Sequence, residues 1–185
     1  MTKLYTAVHA FNSALKRTLM LYDGVEATLA LLKDRGIVVV GHTESIAVNG
    51  YYRLKRLAIE PYFHHLYALE GHVAPHQNIA RERELAPPEG FLSVIPTCER
   101  KPNPRLLLDI CSREGIQTSD AVYVGDSLTR DVGMAKEAGV TAVWAKYGTL
   151  YDRNLWGLLV QITHWTNADV AREEELSHRY DIIKP

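Results

Sequence analysis

Two short runs of β-branched residues, each set behind a helical pattern and ahead of a polar cluster, restrict this chain more than anything else in it. Gly36-Ile-Val-Val-Val-Gly41 and Ala121-Val-Tyr-Val-Gly125 are continuously apolar, as strands of a parallel sheet covered on both faces are. Thr141-Ala-Val-Trp-Ala145 is a third segment of this kind. Before the first run, Asp23 to Arg35 predicts a helix: Asp23 and Glu26 have capping-box spacing, Val25, Leu29 and Leu32 share a face, and Gly36 can end it. Asn103 to Glu114 repeats the pattern, with Asn103 as N-cap, Pro104 at the first helical position, Leu107, Ile110 and Cys111 turned inward and Gly115 as terminator. Another helix is predicted from Leu128 to Ala138, stopping at Gly139. The alternation is that of an α/β protein, a three-layer Rossmann-like parallel sheet with crossover connections.

Composition narrows the partners. With 46% hydrophobic and 23% charged residues in 185, the chain is an ordinary globular sequence rather than a disordered one. Its 21 basic and 22 acidic residues leave a net charge of −1, so no basic field points to nucleic acid or an anionic membrane. Apolar stretches such as Ile37 to Val40 fall far short of the roughly 20 residues that span a bilayer, and residues 1–10 lack the apolar segment of a secretory signal. Two cysteines, Cys98 and Cys111, suit free thiols in a reducing, cytoplasmic setting. Residues 71–100, punctuated by Gly71, Pro75, Pro87, Pro88, Gly90 and Pro96, read as a long loop or small β-insertion near the sheet's edge. Residues 151–185 form an aromatic, irregular C-terminal extension with a polar helix near Ala168 to Leu176.

Parallel α/β sheets bind ligands at the carboxyl ends of their strands, and there the sequence is polar. Gly41-His42-Thr43-Glu44-Ser45 follows the first run and Gly125-Asp126-Ser127-Leu128-Thr129-Arg130-Asp131 follows the second. Between them, Lys101-Pro102-Asn103-Pro104 brings a lysine to the start of a helix. The Thr43 hydroxyl and the backbone N–H groups after it, Glu44 first, can hold phosphoryl oxygens with the Glu44 carboxylate turned outward. Lys101 offers a point positive charge for such oxygens, and Asp126 and Asp131 offer hard oxygen ligands suited to Mg²⁺.

Thr43, Lys101-Pro102 and Gly125-Asp126-x4-Asp131, in that order, resemble motifs two, three and four of the haloacid dehalogenase-like superfamily. Tyr22-Asp-Gly-Val25 resembles the lead-in to motif two, and Asp131-Val-Gly-Met-Ala-Lys-Glu-Ala-Gly139 the helix after motif four, so the resemblance covers residues 20 to 150. It implies an HAD-like core at 21–150. The activity it implies is that of an Mg²⁺-dependent phosphomonoester hydrolase working through an aspartyl-phosphate on a small phosphorylated metabolite. Thr43 and Lys101 would be catalytic, Thr43, Glu44 and Lys101 phosphate-binding, Asp126 a direct metal ligand and Asp131 its support.

One motif is absent. No Asp-x-Asp occurs anywhere in the sequence; Asp23 and Asp34 belong to or adjoin a helix, and Asp109 lies inside the Pro-started one. Residues 1–20, with Tyr5, Phe11, Leu15 and Leu19, resemble the last helix of a cap domain. The strand that would carry the missing motif lies, in that fold, between the strands ending at Gly41 and Gly125. The sheet is therefore expected to need a homodimeric partner or an upstream segment.

Other readings stand beside these. Asp126 and Asp131 also suit an N-cap and a first-turn acid, Ser45 suits a helix N-cap, and a non-catalytic binding or regulatory module would keep the fold without the nucleophile. His72 and His76 are spaced i, i+4, but Gly71 and Pro75 argue against a helix and hence a zinc site; His64 and His65 read as surface or half-buried. The order Thr, Lys, Asp is wrong for a phospho-receiver domain, and nucleotide-binding glycine signatures are absent.

Overall fold

In the computed structural model the described residues are 10, 13, 14, 16–71 and 86–149, and beyond these 154, 155, 157, 168, 171, 172, 174 and 175. The predicted cap remnant, His72, His76, Trp156 and Trp165 thus lie largely or wholly outside them. The chain divides into two compact units, residues 1–98 and 99–185. Among the described residues every strand pairing is parallel, and the protein is α/β, as its alternation of patterns predicts.

The first unit contains α1 (Val25–Asp34), β1 (Val40–Ile46), α2 (Ala47–Arg56), β2 (His65–Leu69) and β3 (Leu92–Ile95), with the sheet in the order β1-β2-β3. Helix α1 starts one residue later than its capping pattern suggests. Gly24, at φ 80°, occupies the cap position without a side-chain bond, and the Thr28 hydroxyl donates to its carbonyl at 2.8 Å. At the other end Gly36 turns left-handed, its N–H reaching the Lys33 carbonyl and that of Ile37 the Leu32 carbonyl, both at 2.9 Å. This pair of bonds closes the last turn and needs a residue that tolerates positive φ.

Strand β1 does not begin at Ile37. Ile37 and Val38 are half exposed, and the ladder starts only where β2 runs alongside, at Val40 opposite His65. It holds register to Thr43 opposite Ala68 and then slips, Ile46 facing Leu69. β2 is the most enclosed strand, with Leu66, Tyr67, Ala68 and Leu69 all buried. Tyr51 of α2 joins Leu66, Ala68 and Phe91 in one core, its ring meeting that of Phe91 edge-on at 5.7 Å. Helix α2 can lie this close because Gly50 carries no side chain; a Cβ there would stand 3.2 Å from Thr43 Cγ2. Within the 71–100 stretch, residues 92–95 form the parallel edge strand β3.

The second unit contains α3 (Pro104–Arg113), β4 (Val122–Gly125), a π-helical turn (Leu128–Gly133) running into α4 (Met134–Glu137), and β5 (Thr141–Trp144). Asn103 caps α3 as its pattern predicts, its side chain accepting from Leu106 N–H at 3.1 Å. α3 and α4 end at Gly115 and Gly139 with the same bonds that close α1. Leu107, Cys111, Met134, Ala135, Ala138 and Val140 form the core, against which Tyr123 and Ala142 pack.

Among the described residues, the β4–β5 sheet is covered on that face alone. Val122 and Val124, expected to be buried on both faces of a sheet, are 61% and 59% exposed, because the helices lie against the Tyr123 and Ala142 side. Among the described residues, β1 and β4 each have strand partners on one edge only. Cys98 is exposed, Cys111 buried, and both are free thiols. No helix of the described residues is long and apolar enough to cross a membrane.

The orientation of α3 gives a direct check. Leu107 is 4% exposed and Leu108 42%, so Leu107→Ala should cost about 2–5 kcal/mol and Leu108→Ala about 0.5 kcal/mol or less in urea unfolding. Equal losses would mean that the inward face of α3 is misplaced.

Candidate active site

In the first unit, the slip in β1 builds the local geometry. Glu44 and Ser45 stand where register is lost, so Thr43 is the last residue in regular pairing before a bulge. Thr43 and Glu44 were expected beyond the strand's end; they lie within it, since β1 resumes at Ile46. The bulge turns the Ser45 N–H back onto Thr43 Oγ1 at 3.1 Å, so this amide is aimed at the threonine hydroxyl. Ser45 does not cap α2, whose N-cap is Ile46; its hydroxyl instead accepts from Arg53 Nη1 at 3.0 Å. Thr43, Glu44 and Ser45 are all half-buried.

In the second unit, residues far apart in sequence converge. Lys101 precedes the capped start of α3, where Asn103 also donates from its amide to Glu99, and the Lys101–Pro102 peptide is cis. Lys101 Nζ lies 2.9 Å from Asp131 Oδ1, and the two side chains are only 12% and 7% exposed. Asp131 Oδ2 accepts from the Ser127 N–H at 3.1 Å, and the Tyr123 hydroxyl stands 3.4 Å from Oδ1. The turn from Leu128 to Gly133 places Asp131 there: the Val132 N–H reaches the Ser127 carbonyl five residues back, a widened turn of the kind found at functional sites.

Gly125 permits the approach. A Cβ on it would stand 2.4 Å from Asp131 Cβ and Cγ, so the carboxylate lies against bare backbone at the end of β4. The helical turn is capped by Ser127, whose hydroxyl accepts from the Arg130 N–H at 3.1 Å, and Asp126 is therefore not its cap. Asp126 is exposed at the strand's end, its carbonyl accepting from Trp144 Nε1 at 3.0 Å. Gly148 lies against it: a Cβ there would meet Asp126 Cβ at 3.0 Å.

Electrostatics bind the cluster further. Burial by itself would lower the Lys101 pKa, but the negative charges available on Tyr123 and Asp131 outweigh it and leave the ammonium's pKa above its ordinary value. Burial, which disfavours the phenolate, instead pushes the Tyr123 phenol up to about 12. At neutral pH the phenol is protonated, and Lys101 and Asp131 form a compensated buried pair.

Of the residues singled out by sequence, Lys101 and Asp131 meet directly, Asp126 sits on the same strand end, and Thr43 and Glu44 belong to the first unit's bulge. Tyr123, Ser127 and Trp144 were not anticipated. The sequence trace of Tyr123 is faint: an aromatic with a polar tip between two valines in a strand, one step before Gly-Asp.

The profile of the haloacid dehalogenase-like hydrolases matches residues 5–139. This chain belongs to that family. It is 29% identical over 146 residues to the glyceraldehyde 3-phosphate phosphatase of Methanopyrus kandleri, covering 79% of this chain and 52% of that one. It is 31% identical over 145 residues to the phosphoglycolate phosphatase of Nitrosococcus oceani, covering 78% and 52%. A solved HAD phosphatase from Thermococcus onnurineus aligns with 26% identity and a TM-score of 0.46 over 72% of this chain and 50% of its own. The chain spans about half the length of the curated relatives it matches.

The raised values of Lys101 and Tyr123 set a pH window. Each group holds its proton more tightly folded than unfolded, so its stabilisation is fully present below its ordinary value, about 10 for both, and is lost as pH rises through the folded value. Chemical unfolding at pH 8, 10 and 12 should show stability falling over the last interval. The Tyr123→Phe variant should fall less steeply than the wild type; parallel curves would contradict the placement of the phenol.

Proposed function

We propose that this chain carries the phosphate-binding and metal-binding part of an Mg²⁺-dependent phosphomonoester hydrolase, acting through an aspartyl-phosphate on a small phosphorylated metabolite. The observation that carries this reading is the buried Lys101–Asp131 pair at 2.9 Å, formed across 30 residues of sequence at the strand end where Asp126 stands exposed. Family membership and relatives named as phosphatases support it.

The residues present fit Mg²⁺. Asp126 offers a hard carboxylate at a strand end and is not consumed as a cap, whereas both Asp131 oxygens already accept hydrogen bonds, which suits a supporting role. When bound, the cation supplies charge that neutralises phosphoryl oxygens. Lys101 contributes a positive charge pre-placed by Asp131, and needs little reorganisation as phosphate binds. Thr43 would hold a phosphoryl oxygen through its hydroxyl, with the Glu44 backbone N–H as a second donor. The nucleophilic aspartate is not among these residues, because no Asp-x-Asp occurs in them. That same absence favours a second reading, a non-catalytic binding or regulatory module on this fold.

Titration of the chain with millimolar Mg²⁺ should shift the amides of residues 124–132, and Asp126→Asn should abolish the response. Turnover of a generic aryl phosphate should be negligible, since the covalent route is missing. Saturable, Mg²⁺-dependent hydrolysis lost in Asp126→Asn would show that another carboxylate serves as nucleophile.

We also infer that the open edges of β1 and β4 are filled by another copy or by a segment outside the given residues. The exposed Val122, Val124 and Val143 support this, as apolar strands with unpaired edges invite association. Two free thiols support a reducing compartment such as the cytoplasm. Light scattering should find dimers or larger species; a monodisperse monomer with strongly protected amides in 122–125 would refute the assembly.

A further inference from the structure

We infer that Tyr123 is a positioning residue for Lys101, holding its ammonium on Asp131. Lys101 Nζ stands 5.5 Å from the centroid of the Tyr123 ring, within reach of cation–π attraction. The hydroxyl of that ring stands 3.4 Å from Asp131 Oδ1, the oxygen that takes the ammonium at 2.9 Å. One aromatic side chain thus stands beside both members of the pair, its hydroxyl hydrogen-bonded to the ammonium as well as near the anion.

Strand register explains why this residue can do so. β4 alternates Val122 and Val124 outward with Tyr123 inward, where it packs against the core built around Leu107, Cys111 and Met134 and pairs with Ala142 across the ladder. Its ring is held by that packing independently of Lys101. Lys101 sits on a long stem whose rotamer freedom must be given up to hold one position. Asp131 by itself fixes a distance; Tyr123 adds a second point of contact for the ammonium. The proposal concerns the pair itself. Its consequence for phosphate rests on the function proposed above, because a lysine held in one place presents a charge that needs no rearrangement on binding.

The experiment uses the full chain with ¹⁵N-labelled lysine, the Lys101 Nζ signal being assigned by its disappearance in Lys101→Arg. In the wild type the ammonium should give a proton-detected signal protected from rapid exchange, with contacts to the Tyr123 ring protons and a ring-current shift. Tyr123→Phe keeps the ring and should retain the shift while the exchange of the ammonium protons rises roughly fivefold, the change expected from one ordinary hydrogen bond. Tyr123→Leu should lose both. An unprotected wild-type signal, or one without contact to the ring, overturns the inference and does not depend on any variant folding. An unchanged signal in a folded Tyr123→Leu variant overturns it as well. Inorganic phosphate added to the wild type tests the functional reading separately: a protected, ring-shifted ammonium that ignores phosphate sustains the positioning role and counts against the phosphate site.

Discussion

A carboxylate buried beside an ammonium is stable only if nearly every lone pair and proton has somewhere to go, and in this protein that requirement organises the second unit. Asp131 has one oxygen on Lys101, near which the Tyr123 hydroxyl also stands, and the other on a backbone N–H. Meeting these demands fixes several elements at once. The chain after β4 must pass over Gly125 with no side chain between, the following turn must widen to bring Asp131 back over Ser127, and the capped start of α3 must deliver Lys101. Removing either charge would leave the other desolvated, which is commonly more costly than the pair is favourable.

The first unit is organised by a different constraint, the closeness of α2 to β1. Gly50 lets the helix rest against Thr43, and Tyr51 beside it anchors the helix to β2 through Leu66, Ala68 and Phe91. The strand loses register after Thr43, which is also where the polar residues cluster. Core packing and the arrangement of Thr43, Ser45 and Arg53 are thus products of one local irregularity.

Legibility in the sequence followed how local the physics is. The glycine stops at Gly36, Gly115 and Gly139 and the Asn103 cap were readable because each is decided within one or two turns of chain. Lys101, Asp126 and Asp131 could be singled out because their motif spacing is local, whereas the meeting of Lys101 with Asp131 could not be foreseen. β2 escaped notice although it is the most buried strand: it is short, opens on His65, and has no glycine just ahead of it. α2 follows β1 without punctuation, its cap position held by Ile46, which has no side chain to signal a start. The exposure of Val122 and Val124 could not be read at all, since burial on a second face depends on what lies across the sheet and not on the strand's own residues.

The indole of Trp144 has a practical use. Its N–H is hydrogen-bonded to the carbonyl of Asp126, the acid exposed at the end of β4, while Lys146 stands 5.2 Å from its ring. Indole emission is sensitive to the charges and hydrogen bonds around it, so any cation arriving at Asp126 changes the surroundings of a fluorophore already in place. With only three tryptophans in the chain, and the other two at 156 and 165, replacing those two by phenylalanine would leave one optical signal tied to a single carboxylate. On the proposed function, Trp144 would serve as a label-free gauge of occupancy at that strand end.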